Sequence, residues 1–561
     1  MTESEAALPF RSRPDHIFPT LTEAQIARVA AHGRVRRFRA GEVLIEPGDR
    51  VLHFYVIGSG AVEVIRPSAE GETVVAVYHA GHFTGEVSMI AGGRALMLVR
   101  VRTDGELIEV SREELASLVQ IDAELSEILM RAFILRRMEL VASGVGDVVL
   151  IGSMHSVDTL RIKEFLTRNN HPYQYVDLDK DADVQVLLDR FHVKVEDVPV
   201  LICRGQHVLR NPSVREITDC LGFNEEIDRE HVRDLIVVGA GPSGLAAAVY
   251  AASEGLTVLV IECNASGGQA GASSRIENYL GFPEGVTGQQ LANSAYTQAR
   301  KFGAEIMIAR KATRLTCDRR PYSIQIDDDT KLPAKSVIIA TGAEYRRPSL
   351  QNLERFEGAG VYYGATFVEA QLCGGEEVAV VGGGNSAGQA AVFLAQTAQK
   401  VHIMVRARGL AESMSRYLIR RIEEHPSIEL HTRTDMVALE GSDHVERVRW
   451  RNGETGQVET HDIRHVFIMT GALPKTGWLD GCVTLDEKGF IKTGQHLSQT
   501  ELSSAAWPLA RPPHLLETSL PGIFAVGDVR AGNVKRVASA VGEGSVAIRQ
   551  VHEFLEAEGR R

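Results

Sequence analysis

The sequence predicts a multidomain protein: an N-terminal β-roll with a trailing helix, a small α/β module, and two Rossmann-like α/β domains built to hold nucleotides. Three observations predict it. At 561 residues the chain exceeds what one hydrophobic core supports, because single cores stop growing near ~250 to 300 residues. Its first part alternates short apolar runs with glycine turns. Its last part repeats one grammar: "DLIVVGAGPSG" returns as "EVAVVGGGNSA" and "SVIIATGA" as "HVFIMTGA". The same order, glycine turn first and apolar strand ending in Thr-Gly later, marks an internal duplication of one nucleotide-binding unit.

From Phe38 to Val110 the runs "GEVLIEPGD", "HFYVIGSGAVEVI", "TVVAVYHAGHF" and "GELIEV" read as the β-roll. From Arg112 to Val141, Leu115, Leu118, Ile121, Leu125, Ile128, Leu129 and Ala132 fall at helical spacing. "DVVLIG", "SVDTLRIKEFLTRN", "YQYVDLD", "DVQVLLDRF" and "VPVLICRGQHV" then predict a β-α-β-α-β module, and "NEEIDREHVRD" a charged linker. The expected domains are 15–142, 147–223, a discontinuous 232–345 plus 475–561, and 346–474 between those two pieces.

A net charge of -12 offers no basic footprint for nucleic acid, and 44% hydrophobic with 24% charged residues is an ordinary globular balance. No apolar run approaches the ~20 residues of a membrane span, and the opening "MTESEAALPF" lacks the basic and apolar regions of a signal peptide. The expectation is a cytoplasmic protein with no nucleic-acid or membrane partner. Cys203, Cys220, Cys263, Cys317, Cys373 and Cys482 are scattered singly with no C-x-x-C, so neither disulfides nor a structural metal are expected.

Gly239, Gly241 and Gly244 follow the strand "DLIVV" and open a helix, where backbone amides can meet a pyrophosphate with no Cβ in the way. Glu262 ends the next strand at the ~20-residue spacing of an acid that holds a ribose hydroxyl. The second turn, Gly382, Gly384 and Ala387, is the G-x-G-x-x-A variant. Its following strand ends in Arg406, with Arg408 close behind. A guanidinium in place of the carboxylate suits a 2′-phosphate, so NADPH is expected rather than NADH.

With "GGQAGASSRIENY", "ATG", "GGGNSA" and "GIFAVGDV" in the matching places, residues 232–561 resemble the thioredoxin reductase branch of the flavoprotein disulfide reductases. The resemblance implies FAD in the first unit, with Gly268, Gln269 and Asn278 near the flavin, Gly342 and Gly527 in the cofactor loops, and Asp528 on the ribityl chain. It implies NADPH in the second unit, with Asn385 and Ser386 in its turn, and a homodimer. The family carries its redox disulfide in C-A-T-C-D ahead of the second turn; this chain has Gly364, Ala365, Thr366, Phe367 and Val368. Cys373 nearby is a single thiol and cannot cycle as a dithiol. The small α/β module resembles a glutaredoxin or thioredoxin-like domain, with Val198-Pro199 at the cis-proline position. Ser153, Met154, His155 and Ser156 stand where its C-x-x-C belongs. That module is expected to be inert in thiol exchange and to dock or space the others.

The β-roll resembles a cyclic nucleotide-binding domain. The resemblance assigns Gly85 and Glu86 to the ribose and Arg94 and Ala95 to the cyclic phosphate, an acceptor for a hydroxyl and a fork for an anion. The segment between the two pairs is one residue short, and Leu96 and Met97 replace a small residue and a hydroxyl. Three functional readings follow. The leading one is an NADPH oxidoreductase with FAD that passes electrons directly to ferredoxin, flavodoxin, a quinone or a small molecule such as oxygen, under control of a cyclic nucleotide such as cAMP; no side-chain acid or base is required. The others are a thioredoxin-disulfide reductase using an unrecognised thiol pair and a non-catalytic FAD/nucleotide sensor.

Overall fold

The structure is a computed structural model and describes residues 14–50, 52–68, 71–143, 148–154, 156–179, 197–204, 207–327, 329–479 and 481–559. Strands β1 (Arg34–Phe38), β2 (Val43–Ile45), β3 (Phe54–Ser68), β4 (Gly71–His79) and β5 (Leu98–Val110) form the β-roll, in the order β1-β5-β3-β4 with β2 paired to β5. All pairs are antiparallel. Phe54, Phe83 and Phe133 meet in its core, so the trailing helix closes one end of the roll. A short helix α1 (Glu23–Ala30) precedes the roll, and α2 (Ser88–Ala91) interrupts it between β4 and β5.

The helix expected from Arg112 to Val141 is two helices, α3 (Arg112–Ile121) and α4 (Ala123–Ala142). Asp122 breaks it. With φ -107° and ψ 101° it leaves the helical region, and its carboxylate accepts the Leu125 amide at 3.0 Å. An aspartate satisfies a helix N-terminus better than a helix interior, by about 1 kcal/mol over alanine at a cap. The apolar periodicity runs through this break, which hid it.

The small α/β module has β6 (Val148–Gly152), α5 (Val157–Arg168), β7 (Gln174–Asp177), β8 (Val200–Cys203), β9 (His207–Arg210) and α6 (Val214–Leu221), with strand order β7-β6-β8-β9. The Val198-Pro199 bond is cis. The expected helix "DVQVLLDRF" and His155 lie outside the described residues.

Beyond it, β10 (Arg233–Val238), α7 (Pro242–Ser253), β11 (Val258–Ile261), α8 (Gly288–Lys301), β12 (Glu305–Met307), β13 (Ala312–Thr316), β14 (Tyr322–Ile326) and β15 (Lys331–Ile339) build a seven-stranded sheet with β26 (Ile523–Ala525) added on β15. β16 (Ala343–Tyr345) crosses out of this unit and β25 (Ala472–Pro474) returns, paired antiparallel as a two-strand ribbon. Between them lies a parallel sheet of β17 (Val361–Tyr362), β24 (His465–Ile468), β18 (Glu377–Val381), β19 (Lys400–Val405) and β20 (Ile428–Thr432). It carries α9 (Phe367–Leu372), α10 (Asn385–Leu394) and a meander β21 (Thr434–Glu440), β22 (Arg447–Asn452), β23 (Val458–His461). The final helix, α11 (Val537–Gly559), packs back on α7.

Two sequence expectations need correction. Cys317 and Cys482 form a disulfide, although no spacing suggests it. Their 165-residue separation spans the whole inserted domain, and only the return of the chain against β13 brings them together. The segment read as a linker is also a fastener. Asn224 exchanges hydrogen bonds with the backbone of Ile308, and Glu225 pairs with Arg112 of the β-roll unit at 2.6 Å and with Arg300 of α8 at 2.8 Å.

Candidate functional site

The first glycine turn is held by packing that only glycine permits. Gly239 has φ +108°, and a Cβ there would come within 2.4 Å of the Ala340 carbonyl. Gly382 repeats the arrangement at φ +145°, its Cβ meeting the Met469 carbonyl at 2.4 Å. Ala340 and Met469 each precede a Thr-Gly pair, so the duplication is physical as well as textual. The helices after both turns begin at a glycine N-cap, Gly241 or Gly384, with no side-chain cap. By contrast, α8 begins with a Thr287–Gln290 capping box. Uncapped first-turn amides at a helix N-terminus are donors for a phosphate.

Around the first turn, Glu262 directly follows β11, almost fully buried, and accepts the amides of Ala240 at 2.8 Å and Asn264 at 2.9 Å. Gly268 backs onto Gly241, and the Gln269 amide donates to the Ala343 carbonyl. Asn278 lies in an exposed loop. Gly342 has φ +65° at the base of the ribbon. Asp528 sits in the short turn after β26, and burial raises its carboxyl above the ordinary aspartate range while Lys535 opposes the shift. Among the described residues no donor reaches this carboxylate, whose capacity suits the hydroxyls of a ribityl chain. The uncapped amides after Gly241 and the half-buried carboxylate of Asp528 together fit FAD.

At the second turn Asn385 accepts the Ser415 amide at 2.7 Å, and Ala387 is buried where the first turn has Gly244. Arg406 and Arg408 are exposed just past the end of β19; Arg406 lies 3.8 Å from Asp435. These residues fit NADPH. Tyr345, in the ribbon, lies near Ser386; burial raises its phenol, Ser386 opposes the shift and the charge of Asp528 adds to it. One side chain thus lies near the second turn and within the field of Asp528. Sequence reasoning missed it, because a tyrosine after "ATGA" carries no motif of its own.

The cassette of the β-roll is arranged differently from a formed anion site. Arg94 donates to the Gly48 carbonyl at 3.1 Å and packs over Gly222. Gly85, at φ +101°, is held by Arg136, which donates to its carbonyl at 2.8 Å, and Ala95 is buried. Glu86 faces Arg137 at 3.6 Å, and its Oε2 makes no hydrogen bond. Arg136 is buried against Phe83, with burial lowering its pKa; its Nε and Nη1 donate to three backbone carbonyls in place of a carboxylate, while its buried Nη2 makes no hydrogen bond. A cavity of about 100 Å³ lies beside the cassette, lined by Arg94, Arg137, Asn170, His171, Asn293 and Tyr296 from three modules.

Residues 233–544 match the family described as pyridine nucleotide-disulphide oxidoreductase. The chain belongs to this family. Residues 35–122 of this pyridine nucleotide-disulphide oxidoreductase also match the cyclic nucleotide-binding domain family. It is 31% identical over 330 residues to a thioredoxin reductase of Bacillus subtilis, covering 59% of this chain and 97% of that one. It is 28% identical over 368 residues to NADPH-dependent thioredoxin reductase 3 of Arabidopsis thaliana, covering 63% and 65%. Among solved structures, Lactococcus lactis thioredoxin reductase in its FR conformation matches with TM-score 0.52 and 29% identity, covering 58% of this chain and 99% of that one. The T. acidophilum thioredoxin reductase gives TM-score 0.51 at 28% identity, with the same coverage. The family uses FAD and NADPH, and the protein is an NAD(P)H flavoprotein oxidoreductase. No helix among the described residues is long and apolar enough to cross a membrane.

In this family member the segment Gly364–Thr366 leads into α9 without a thiol. The Thr366 amide donates to Glu369 at 2.8 Å, as its hydroxyl also does, so a T-x-x-E cap starts the helix. Cys373 is fully buried just past that helix, its Sγ 3.0 Å from the Glu369 carbonyl, and burial reinforced by Glu369 pushes its thiol up. Such a thiol is a poor nucleophile.

Proposed function

We propose that the protein is an NADPH:acceptor oxidoreductase that hands electrons from its flavin site directly to an external acceptor, with a cyclic nucleotide acting on the β-roll. When bound, FAD supplies the centre that takes up hydride and releases electrons. The protein's own residues hold it: uncapped amides for the pyrophosphate, Glu262 for the adenosine ribose, Asp528 for the ribityl chain, and Arg406 with Arg408 for the 2′-phosphate of NADPH. The carrying observation is the capped, thiol-free start of α9, with Cys373 buried and single behind it. A dithiol relay needs two accessible sulfurs that can exchange.

Two features support the regulatory part. The β-roll matches a cyclic nucleotide-binding family, and Glu86 keeps an open acceptor for a ribose hydroxyl. Arg94 has to leave the Gly48 carbonyl to meet a cyclic phosphate, so ligand binding entails local rearrangement. The expected acceptors remain ferredoxin, flavodoxin, a quinone or a small molecule, and the expected form is a cytoplasmic homodimer.

The test is an anaerobic stopped-flow mix of FAD-loaded protein with NADPH, followed by candidate acceptors, with and without cAMP. Bleaching of the oxidised flavin band, then rapid reoxidation by a quinone or ferredoxin but not by thioredoxin, is expected. Efficient thioredoxin reduction overturns the reading. Absence of bleaching at saturating NADPH makes the protein a nucleotide-holding sensor instead.

A further inference from the structure

Arg168 closes α5 of the glutaredoxin-like module and reaches out of it. Its Nη2 donates to the Gly268 carbonyl at 2.8 Å, its own carbonyl accepts Nε2 of Gln289 from α8 at 2.7 Å, and its side chain is only 14% exposed. Gly268 has little latitude. It sits at φ +54° beside Gly267 at φ +96°, and a Cβ on it would come within 3.0 Å of the Gly241 Cα. The guanidinium therefore fixes the direction of a peptide that touches the first glycine turn. Gln269, the next residue, bonds the ribbon at Ala343.

Two residues after Arg168 the chain turns at Asn170, with φ +52°. The Asn170 carbonyl accepts Nε of Arg137 from α4 at 2.9 Å. Arg137 in turn faces Glu86 at 3.6 Å, both side chains being largely buried. The next-door Arg136 grips the Gly85 carbonyl at 2.8 Å, so both cassette residues hang on consecutive arginines of α4. At the other end of α5, Val157 fills the space over Gly358 of the NADPH unit.

We infer that Arg168 is a positioning residue for the Gly267–Gln269 loop, and that the turn from Arg168 to Asn170 makes the thiol-free module a strut joining that loop to Glu86 of the cassette. The strut part rests on the regulatory reading above. A ribose hydroxyl donating to Glu86 competes with Arg137 for the same carboxylate. A weaker hold on Arg137 loosens its bond to the Asn170 carbonyl, two residues from the guanidinium that orients Gly268. A ligand shifts this arrangement only as far as its affinity differs between the two states, and the effect is reciprocal.

The test uses the full-length FAD-loaded protein, with Arg168→Gln, Arg168→Lys, Gln289→Ala and Arg137→Gln, and with cAMP and cGMP as probes. Arg168→Gln is expected to shift the visible circular dichroism and midpoint potential of the bound flavin, Gln289→Ala to shift them less, and Arg168→Lys to restore most of the wild-type values. In the wild type a probe is expected to change the affinity for NADPH by about fivefold or more, the low end of ordinary allosteric coupling, and with it the rate of flavin bleaching at subsaturating NADPH. Arg168→Gln and Arg137→Gln abolish that change, while calorimetry shows Arg168→Gln binding the probe as the wild type does. A wild-type flavin spectrum and potential in Arg168→Gln overturn the positioning role. An undiminished probe response in both arginine variants overturns the strut. If the wild type binds neither probe, the regulatory reading and the strut fall together, and the flavin spectra still decide the role of Arg168.

Discussion

Glu543, in the last helix, accepts the amide of Gly527 at 2.7 Å and pairs through its other oxygen with Arg530. Both charged side chains are largely buried, at 15% and 12% exposure. The turn that presents Asp528 is therefore set from behind by a carboxylate outside the "GIFAVGDV" motif. Glu543→Gln is expected to weaken FAD binding about tenfold, the ~1.4 kcal/mol scale of one charge-assisted hydrogen bond. Flavin fluorescence on release measures it, and affinity within twofold of wild type would show that Glu543 does not set the turn.

Asp528 itself stores a cost in the cofactor-free protein. Its folded pKa is raised by burial, so above both the folded and unfolded values its charge opposes folding, and the penalty is relieved as pH falls through the raised value. Asp528→Asn apoprotein is expected to melt higher than wild-type apoprotein at neutral pH, with the gap closing below about pH 4. A gap that widens on acidification contradicts this assignment.

Arg406 and Arg408 are exposed at the edge of the second turn and need a phosphate to be useful there. Arg406→Gln and Arg408→Gln should each raise the KM for NADPH by about tenfold, leaving the KM for NADH nearly unchanged. Equal effects on both coenzymes would make them general surface charges.

Glu225 ties the β-roll unit to α8 through Arg112 and Arg300. Burial alone would raise its carboxyl, but Arg300 and Arg112 outweigh it and the net shift is downward. A depressed folded pKa means that the clamp's contribution is complete above the ordinary value of 4.5 and is lost as pH falls through the depressed one. The contrast between wild type and Glu225→Gln in limited proteolysis between the two units is expected at pH 7 and absent in strong acid. Identical digestion at both would remove Glu225 from the clamp.

The Cys317–Cys482 bond closes a 165-residue loop around the NADPH unit. Thiol titration of the unfolded, unreduced chain is expected to find four thiols, those outside the Cys317–Cys482 bond, and all six after reduction. Removing the pair should cost up to about 5 kcal/mol by loop-closure entropy, yet leave bleaching by NADPH intact. Loss of electron delivery to an acceptor in Cys317→Ser would instead identify this pair as the missing relay.

The nucleotide turns were readable because their requirement is local. Gly239 and Gly382 need positive φ and room beside a carbonyl, and only glycine meets both demands within a strand–turn–helix whose apolar pattern is contiguous. The same holds for the absent thiols at 364–368, since a missing side chain needs no fold to be noticed. Periodicity failed at Asp122, where a polar cap interrupts an unbroken apolar stripe. Composition likewise failed at Glu225, whose charge suggested solvent.

The sequence by itself determined the order of modules, both glycine turns, the arginines after the second and the absence of cysteines at 153–156 and 364–368, because each is written in neighbouring residues. Only the tertiary structure decided that Cys317 meets Cys482, that Tyr345 comes near both Ser386 and Asp528, that Glu543 holds the Asp528 turn, and that Arg168 reaches the Gly268 carbonyl. These pairs are formed by side chains distant in sequence, and their meeting depends on how sheets return and modules dock. No local pattern encodes that, since it is the burial of whole faces that brings such groups within hydrogen-bond reach.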